Sequence, residues 1–396
     1  MNQVILQNDV QNYIKRNLTA DITKIMLAKS PFKDVSSKEL AEQIDSKHRA
    51  EKKLPTWFHA DQIYYPSKLA VEQTSSEATA SYKSQLIKGN HILDLTGGFG
   101  VDSYFFSKVA QQVIYCEQNK ELAEIAKYNL TTLGLINVDF FNEDGLTFLQ
   151  KSTKIFDTVY IDPSRRVENK KVFMLQDTEP NVIENLPLLL EKTHQLVIKT
   201  SPMLDLQAGL KEFGAYVREI HVVSYKNDCK ELLWVLQPEI CTRPQIHCAM
   251  LSTQKTLLFN FYIESEKNSE ILNYSDPLSY LYEPDVAILK AGAFKSTAIK
   301  YGVQKLNINT HLYTADSVVN DFPGKTFKVI SAIPYKDFIK KKIKGSFNVI
   351  SRNFPLTPEQ LKKKHKLSDG GEVFLLFTTG CSGNLVTIEA ERLVKS

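Results

Sequence analysis

Apolar positions along the chain follow two periods, and the change of period divides it. From residue 1 to about 85 they recur at helical spacing. Leu18-Thr19-Ala20-Asp21 leads into a helix over 22–28, and Ser36-Ser37-Lys38-Glu39 opens another. A serine hydroxyl and a glutamate three residues on can satisfy the free N–H groups of a first turn. A further helix begins near Ser75-Ser76-Glu77 and ends before Gly89-Asn90. From residue 91, apolar runs of strand length alternate with helical stretches. The pattern predicts strands over 91–95, 112–116, 138–141, 158–161 and 195–199, with helices over 101–109, 120–133, 182–190 and 204–213. An antiparallel pair over 217–223 and 232–236 closes the series. Such alternation builds a mostly parallel sheet covered by helices. Beyond Pro238 come one alternating strand over 256–263 and a boundary at Asp276-Pro277. The tail is mixed, with helices over 287–301 and 337–344 and strands over 311–313, 328–332 and 373–377. The expected domains are therefore a helical region (1–85), an α/β domain (86–240), a connecting segment with one strand (241–276) and an α+β domain (277–396).

Composition changes this picture little. At 396 residues, 43% hydrophobic and 24% charged, the chain reads as a soluble globular protein of two or three domains. Neither a signal-peptide core nor an apolar run of membrane-spanning length is present, so no membrane partner is expected. Cys116, Cys229, Cys241, Cys248 and Cys381 are scattered, and even Cys241, His247 and Cys248 match zinc spacing poorly. A reduced, cytoplasmic protein without a metal is the expectation. Charge is more informative. The net of +4 conceals a net of −5 over 81–276 and +8 over 277–396. Lys336, Lys340, Lys341, Lys342 and Lys344 form one basic cluster, and Lys362, Lys363, Lys364 and Lys366 another. A polyanion-binding surface and a merely solvated one both fit.

The candidate chemistry lies at the strand ends. One strand ends in Asp94, followed by Thr96, Gly97, Gly98 and Gly100; the next ends in Glu117; Asp144 follows the third; the fourth runs into Asp162-Pro163-Ser164-Arg165-Arg166. Ligands of open α/β sheets bind beyond the carboxyl ends of the strands, so these residues belong to one crevice. An acidic residue closing the second strand can accept both ribose hydroxyls of a nucleoside. Glycine spacing and negative charge are wrong for a dinucleotide but suit a nucleoside bearing an ammonium and a sulfonium.

Asp94-Leu95-Thr96-Gly97-Gly98-Phe99-Gly100 resembles the class I S-adenosylmethionine methyltransferase motif, Asp/Glu-x-Gly-x-Gly-x-Gly, with Thr96 where the first glycine usually stands. The resemblance implies an α/β fold with a Rossmann-like seven-stranded methyltransferase sheet, an N-terminal helical cap and a C-terminal α+β domain. It also implies S-adenosylmethionine held by Asp94, Thr96, Gly97, Gly98, Gly100, Glu117 and Asp144, with Asp144 toward the adenine amino group. Asp162-Pro163-Ser164-Arg165-Arg166 occupies the place of Asp/Asn-Pro-Pro-Tyr/Phe in nucleic-acid methyltransferases, where the acid or amide orients the target nitrogen and the aromatic stacks on an extruded base. Here Ser164 replaces the second proline and Arg165 the aromatic, so amino methylation does not carry over directly. Asp162 is the expected catalytic residue; Pro163, Arg165 and Arg166 are expected on the substrate side, the arginines suiting a phosphate or a guanine edge. A carbon acceptor would need a cysteine nucleophile; the fifth strand's end, 199–203, has none, and Cys229 reads as a structural or adjacent thiol. Nitrogen or ribose oxygen is thus the expected acceptor. Residues from about 284 to 379, with Gly370-Gly371-Glu372-Val373-Phe374 near their end, resemble the THUMP-like domain that accompanies a methyltransferase domain in a bacterial family, and the resemblance to that family covers most of the chain, including Ser75-Ser76-Glu77-Ala78-Thr79 and Asp162-Pro163-Ser164-Arg165-Arg166. THUMP domains bind structured RNA, which implies ribosomal or transfer RNA as partner, with Lys340, Lys341 and Lys342 on its phosphates. A DNA or protein substrate, or a non-catalytic RNA-binding factor that keeps the cofactor fold, remains open. A nicotinamide oxidoreductase conflicts with the glycine spacing.

Overall fold

Six helices precede the first strand of the computed structural model, which describes residues 1–164, 175–270 and 274–393 and the backbone of 166–167 and 170–171. They are α1 (Asn8–Arg16), α2 (Ile22–Leu27), α3 (Ser37–Lys53), α4 (Pro55–His59), α5 (Lys68–Gln73) and α6 (Glu77–Ser84). Three of them start where the sequence signals it: Asp21 and Ser76 cap α2 and α6, and Ser36 with Glu39 closes the capping box of α3. The chain forms two compact units, residues 1–220 with 230–242 and residues 221–229 with 243–396.

In the first unit the helices share one core with the glycine turn. Ile44, Trp57 and Tyr65 cluster with Phe99, Val101, Ile125 and Leu130. Trp57 packs its ring on Phe99 and Tyr104, with centroids at 6.1 and 4.9 Å. The buried Asn129 side chain accepts from the Tyr64 N–H at 3.0 Å and donates to the Tyr64 carbonyl at 2.8 Å, clipping the segment before α5 onto the helix that carries Asn129. Parallel pairing links β1 (His91–Asp94) to β2 (Gln112–Cys116), β2 to β3 (Val138–Phe141), β1 to β4 (Phe156–Ile161) and β4 to β5 (Thr193–Thr200). The helices between them are α7 (Val101–Ser107), α8 (Lys120–Thr132), α9 (Gly145–Lys151), α10 (Leu186–Glu191) and α11 (Leu206–Phe213). Of the pair β6 (Val217–Tyr225) and β7 (Asp228–Leu236), the second runs antiparallel beside β5.

Two expectations about this sheet need correction. Residues 241–276 hold two strands, β8 (Gln245–Leu251) and β9 (Thr256–Tyr262), paired antiparallel, rather than one. Ile246 to Leu251 is nearly continuous in apolar character, and periodicity does not recognise a strand buried on both faces. The sheet accordingly has nine strands, in the order β9-β8-β6-β7-β5-β4-β1-β2-β3, not seven.

The second unit contains a seven-stranded sheet in the order β11-β12-β10-β13-β16-β15-β14. Its strands are β10 (Tyr280–Pro284), β11 (Gln304–Lys305), β12 (Tyr313–Ala315), β13 (Gly324–Pro334), β14 (Asn348–Arg352), β15 (Val373–Thr379) and β16 (Leu385–Leu393). After α12 (Ile263–Asn268), the helix expected over 287–301 is two, α13 (Val286–Ala291) and α14 (Phe294–Tyr301), parted at Gly292 in the left-handed conformation. The last helices, α15 (Tyr335–Lys341) and α16 (Pro358–His365), bury Tyr335, Phe338 and Leu361 in one cluster with Leu375 and Phe377. Among the described residues no helix is long and apolar enough to cross a membrane.

Candidate active site

Five parallel strands, β1 to β5, bring their carboxyl ends to one edge, and the turn after β1 is shaped by its neighbours there. Asp94 is fully buried and turned inward: Oδ2 accepts from the Ser103 hydroxyl at 2.6 Å and Oδ1 from the Thr96 N–H at 3.1 Å. Burial pushes its carboxyl up to about 7; the charges of Asp102 and Asp162 add to the rise, and the two hydrogen bonds oppose it. Thr96, which replaces a glycine of the motif, uses its hydroxyl to accept the Asp162 N–H at 2.7 Å. The side chain thereby ties the end of β4 to the turn, which glycine could not do. A Cβ on Gly97 would lie 2.1 Å from the Tyr115 ring, so the turn rests directly on that side chain. Gly98 has φ +56°, and a Cβ there would meet nothing nearer than 3.8 Å: this backbone is open to a ligand. Its N–H donates to Glu117 Oε2 at 2.9 Å, while Glu117 Oε1 accepts from the Asn119 N–H at 2.8 Å. Gly100 caps α7. Asp144 caps α9, Oδ1 accepting from the Thr147 N–H at 2.8 Å.

Asp162 lies just past β4, its side chain about one-third exposed, and forms an ion pair with Lys199 at the end of β5. Lys199 is only 15% exposed. Burial alone would lower its ammonium's pKa, but the carboxylates of Asp162, Glu231 and Asp102 outweigh that and raise it. Behind this pair lies a buried network. Lys83, on α6, meets Asp102 and Glu231 at 3.1 Å each and donates to the Ser75 hydroxyl at 2.7 Å. Asp102 Oδ2 accepts from Ser75 at 2.8 Å and from the Tyr160 hydroxyl at 3.0 Å. Burial favours a protonated Asp102, yet Lys83 and Lys199 hold its carboxyl below the usual range. Lys53, at the end of α3, is pushed down to about 8 by burial and by the charges of Lys199, Lys230 and Lys83.

Of the expected residues, Asp94, Thr96, Gly97, Gly98, Gly100, Glu117, Asp144, Asp162 and Pro163 thus fall at one end of the sheet. Arg165 lies outside the described residues, as does the side chain of Arg166. Lys340, Lys341 and Lys342 belong to the second unit, at the end of α15, and Cys229 is also among its residues. Ser75, Lys83, Asp102, Lys199 and Glu231 were not expected in the site from the sequence. The detectable signal was Lys199, an ionisable residue closing a strand of the same sheet.

Comparison with a solved structure decides the family. The chain is 33% identical to a protein of Porphyromonas gingivalis W83 whose crystal structure is described as that of a "putative methyltransferase"; the match covers 99% of this chain and 98% of that one, with a TM-score of 0.86. The chain belongs to that family. Family models agree by segment: conserved hypothetical protein 95 matches residues 63–215, a ferredoxin-like domain 280–323, and a THUMP domain-like model 324–392. The ferredoxin-like match means that the THUMP-like likeness begins at residue 324, later than the sequence suggests. Two curated relatives carry the name uncharacterised RNA methyltransferase. That of Mycoplasma mobile is 28% identical over 137 residues, covering 35% of this chain and 34% of that protein. That of Thermotoga maritima is 24% identical over 129 residues, 29% of each. This chain therefore spans about a third of the length of the curated relatives it matches.

Proposed function

We propose that the protein is an S-adenosylmethionine-dependent methyltransferase acting on structured RNA, ribosomal or transfer, at a nitrogen or a ribose oxygen. The observation that carries this reading is the set of carboxylates at one sheet edge: Glu117 bonded to the open backbone of Gly98, Asp144 capping α9 after β3, and buried Asp94 at the end of β1. The chemistry of these residues fits the cofactor. Glu117 would accept ribose hydroxyls, Asp144 the adenine amino group, and the negative field favours a ligand with two cationic groups. When bound, the cofactor supplies a methyl carbon activated by sulfonium. The protein's own residues then need to hold an acceptor in line with it and exclude water. Asp162 would orient that acceptor, with Pro163, Arg165 and Arg166 on the substrate side.

RNA is favoured by the lysines of the second unit. α15 and α16 end in Lys340, Lys341 and Lys342 and in Lys362, Lys363, Lys364 and Lys366. The strand residues that follow them pair in parallel, Gly345 with Leu367 and Ser346 with Ser368, which draws the two basic helix ends together. A cytoplasmic location agrees with an RNA substrate and free cysteines.

The test compares modified nucleosides from wild-type and deletion strains by mass spectrometry, alongside calorimetry of S-adenosylmethionine on the purified protein and on Glu117→Ala. One methylated nucleoside is expected to disappear from the deletion strain, and the substitution to weaken cofactor binding at least about tenfold. No loss of any nucleoside would sink the RNA assignment; no binding of the cofactor would sink the enzyme.

A further inference from the structure

The Asp162–Lys199 pair bears on the acceptor atom. Asp162 Oδ2 is engaged by the ammonium of Lys199, so the group beside the open turn is a carboxylate and a cation together. The two acceptors demand opposite electrostatics. An amino nitrogen that attacks a methyl group becomes positively charged before losing its proton, and a fixed ammonium next to it opposes the reaction. A hydroxyl must shed its proton as it attacks; a carboxylate to take the proton and a cation to stabilise the negative charge on oxygen are what that step requires.

Three further observations agree. Lys199 is held, not incidental: the next residue, Thr200, accepts from Trp234 Nε1 at 2.9 Å, and β5 pairs with β7 from Leu196 to Thr200. Its charge is sustained by Asp102 and Glu231 as well as by Asp162. Directly after Pro163, Ser164 and Arg165 stand where the related motif has its second proline and its stacking aromatic, and Ser164 bridges to Glu179 through paired backbone hydrogen bonds of 2.6 and 3.0 Å. A ribose acceptor needs no such stacking. Within an RNA strand the free hydroxyl is the 2′-hydroxyl.

We infer that the acceptor is a ribose 2′-hydroxyl of RNA, with Asp162 receiving its proton and Lys199 stabilising the charge that develops on its oxygen. This inference rests on the methyltransferase reading above. The 2′-oxygen bonds to the methyl carbon as the carbon–sulfur bond breaks. Its electron pair stays on sulfur, which becomes a neutral thioether, and the hydroxyl proton passes to the Asp162 carboxylate and then to solvent. Lys199 enters and leaves the step protonated.

The test incubates the full chain and methyl-labelled S-adenosylmethionine with RNA from the deletion strain, then digests the RNA with alkali. A 2′-O-methyl group blocks cleavage of the adjoining phosphodiester, so label is expected in alkali-resistant dinucleotides. Label in mononucleotides would overturn the ribose assignment while leaving an RNA methyltransferase standing; no label in any RNA would overturn both. Lys199→Met is expected to slow transfer at least about 100-fold, with cofactor affinity by calorimetry changed less than about threefold. A tenfold loss of that affinity would place Lys199 on the cofactor side and overturn its role. Should Lys199→Met fail to fold, Lys199→Arg, which keeps the charge, is expected to retain cofactor binding and part of the transfer rate. Unimpaired transfer in Lys199→Met would exclude the lysine.

Discussion

At the residue scale, Asp94 carries the most unusual environment. The carboxyl is fully buried and its pKa stands at about 7, against 3.8 for the ordinary group. Between those two values the folded protein holds a proton that the unfolded chain has lost. The stabilisation from this proton is complete below the unfolded value and disappears as pH rises through the folded one. Three pKa units correspond to at most about 4 kcal/mol. Urea unfolding of wild type and Asp94→Asn across about pH 4 to 8 is expected to show wild-type stability falling relative to the variant, whose amide does not titrate. Parallel profiles would mean that Asp94 is not held as described. Thr96 shows how a departure from a motif can have a structural cause, since its hydroxyl takes the Asp162 N–H that a glycine would leave to other partners.

At the element scale, α9, like α12 and α16, is a helix that the periodicity did not predict, and its first residue is a point of close approach. A Cβ on Gly145 would lie 2.3 Å from the Leu95 carbonyl oxygen, a backbone atom with little freedom to yield. Gly145→Ala should therefore push α9, and its capping Asp144, away from the turn. The expected result is a loss of about 1–3 kcal/mol in stability from overpacking and at least about tenfold weaker cofactor binding. Gly134→Ala is the control. Unlike Gly145, that glycine has positive φ, and a Cβ there meets nothing within 4 Å, so alanine should cost stability of about 1–2 kcal/mol without touching affinity. Equal cofactor binding by Gly145→Ala and wild type would remove Asp144 from the cofactor site. The helix stayed hidden because Gly145 to Lys151 is only seven residues long, too short for an apolar stripe to declare itself.

At the scale of the whole molecule, the charge asymmetry of the sequence resolves into a surface. Lys341, Lys342 and Lys366 are exposed, and both Lys342 and Lys366 end their helices in the left-handed conformation. Tyr335 and Phe338 nearby belong to the core cluster and Phe347 packs against it, so on the proposed reading this face would contribute electrostatics and not base stacking. Replacing Lys341, Lys342 and Lys366 together by Gln is expected to lower the slope of log affinity for RNA against log salt by roughly 0.7–0.9 per lysine that contacts a phosphate. Cofactor affinity and unfolding temperature should stay at wild-type values. An unchanged slope in titrations at several salt concentrations would leave these lysines as a solvated face.

What the sequence determined by itself was local or periodic. The strand–helix alternation, the caps at Asp21, Ser36 and Ser76 and the row of acids at strand ends depend on spacing along the chain, and spacing is visible without a fold. Tertiary structure decided everything that required two distant segments to meet. Lys83 and Glu231 are 148 residues apart and Asp162 and Lys199 are 37 apart, yet each pair is in contact because α6, β4, β5 and β7 assemble around one buried volume. No periodicity relates such residues. Their pairing follows from the cost of burying a charge without a partner, a cost incurred only once the chain has folded.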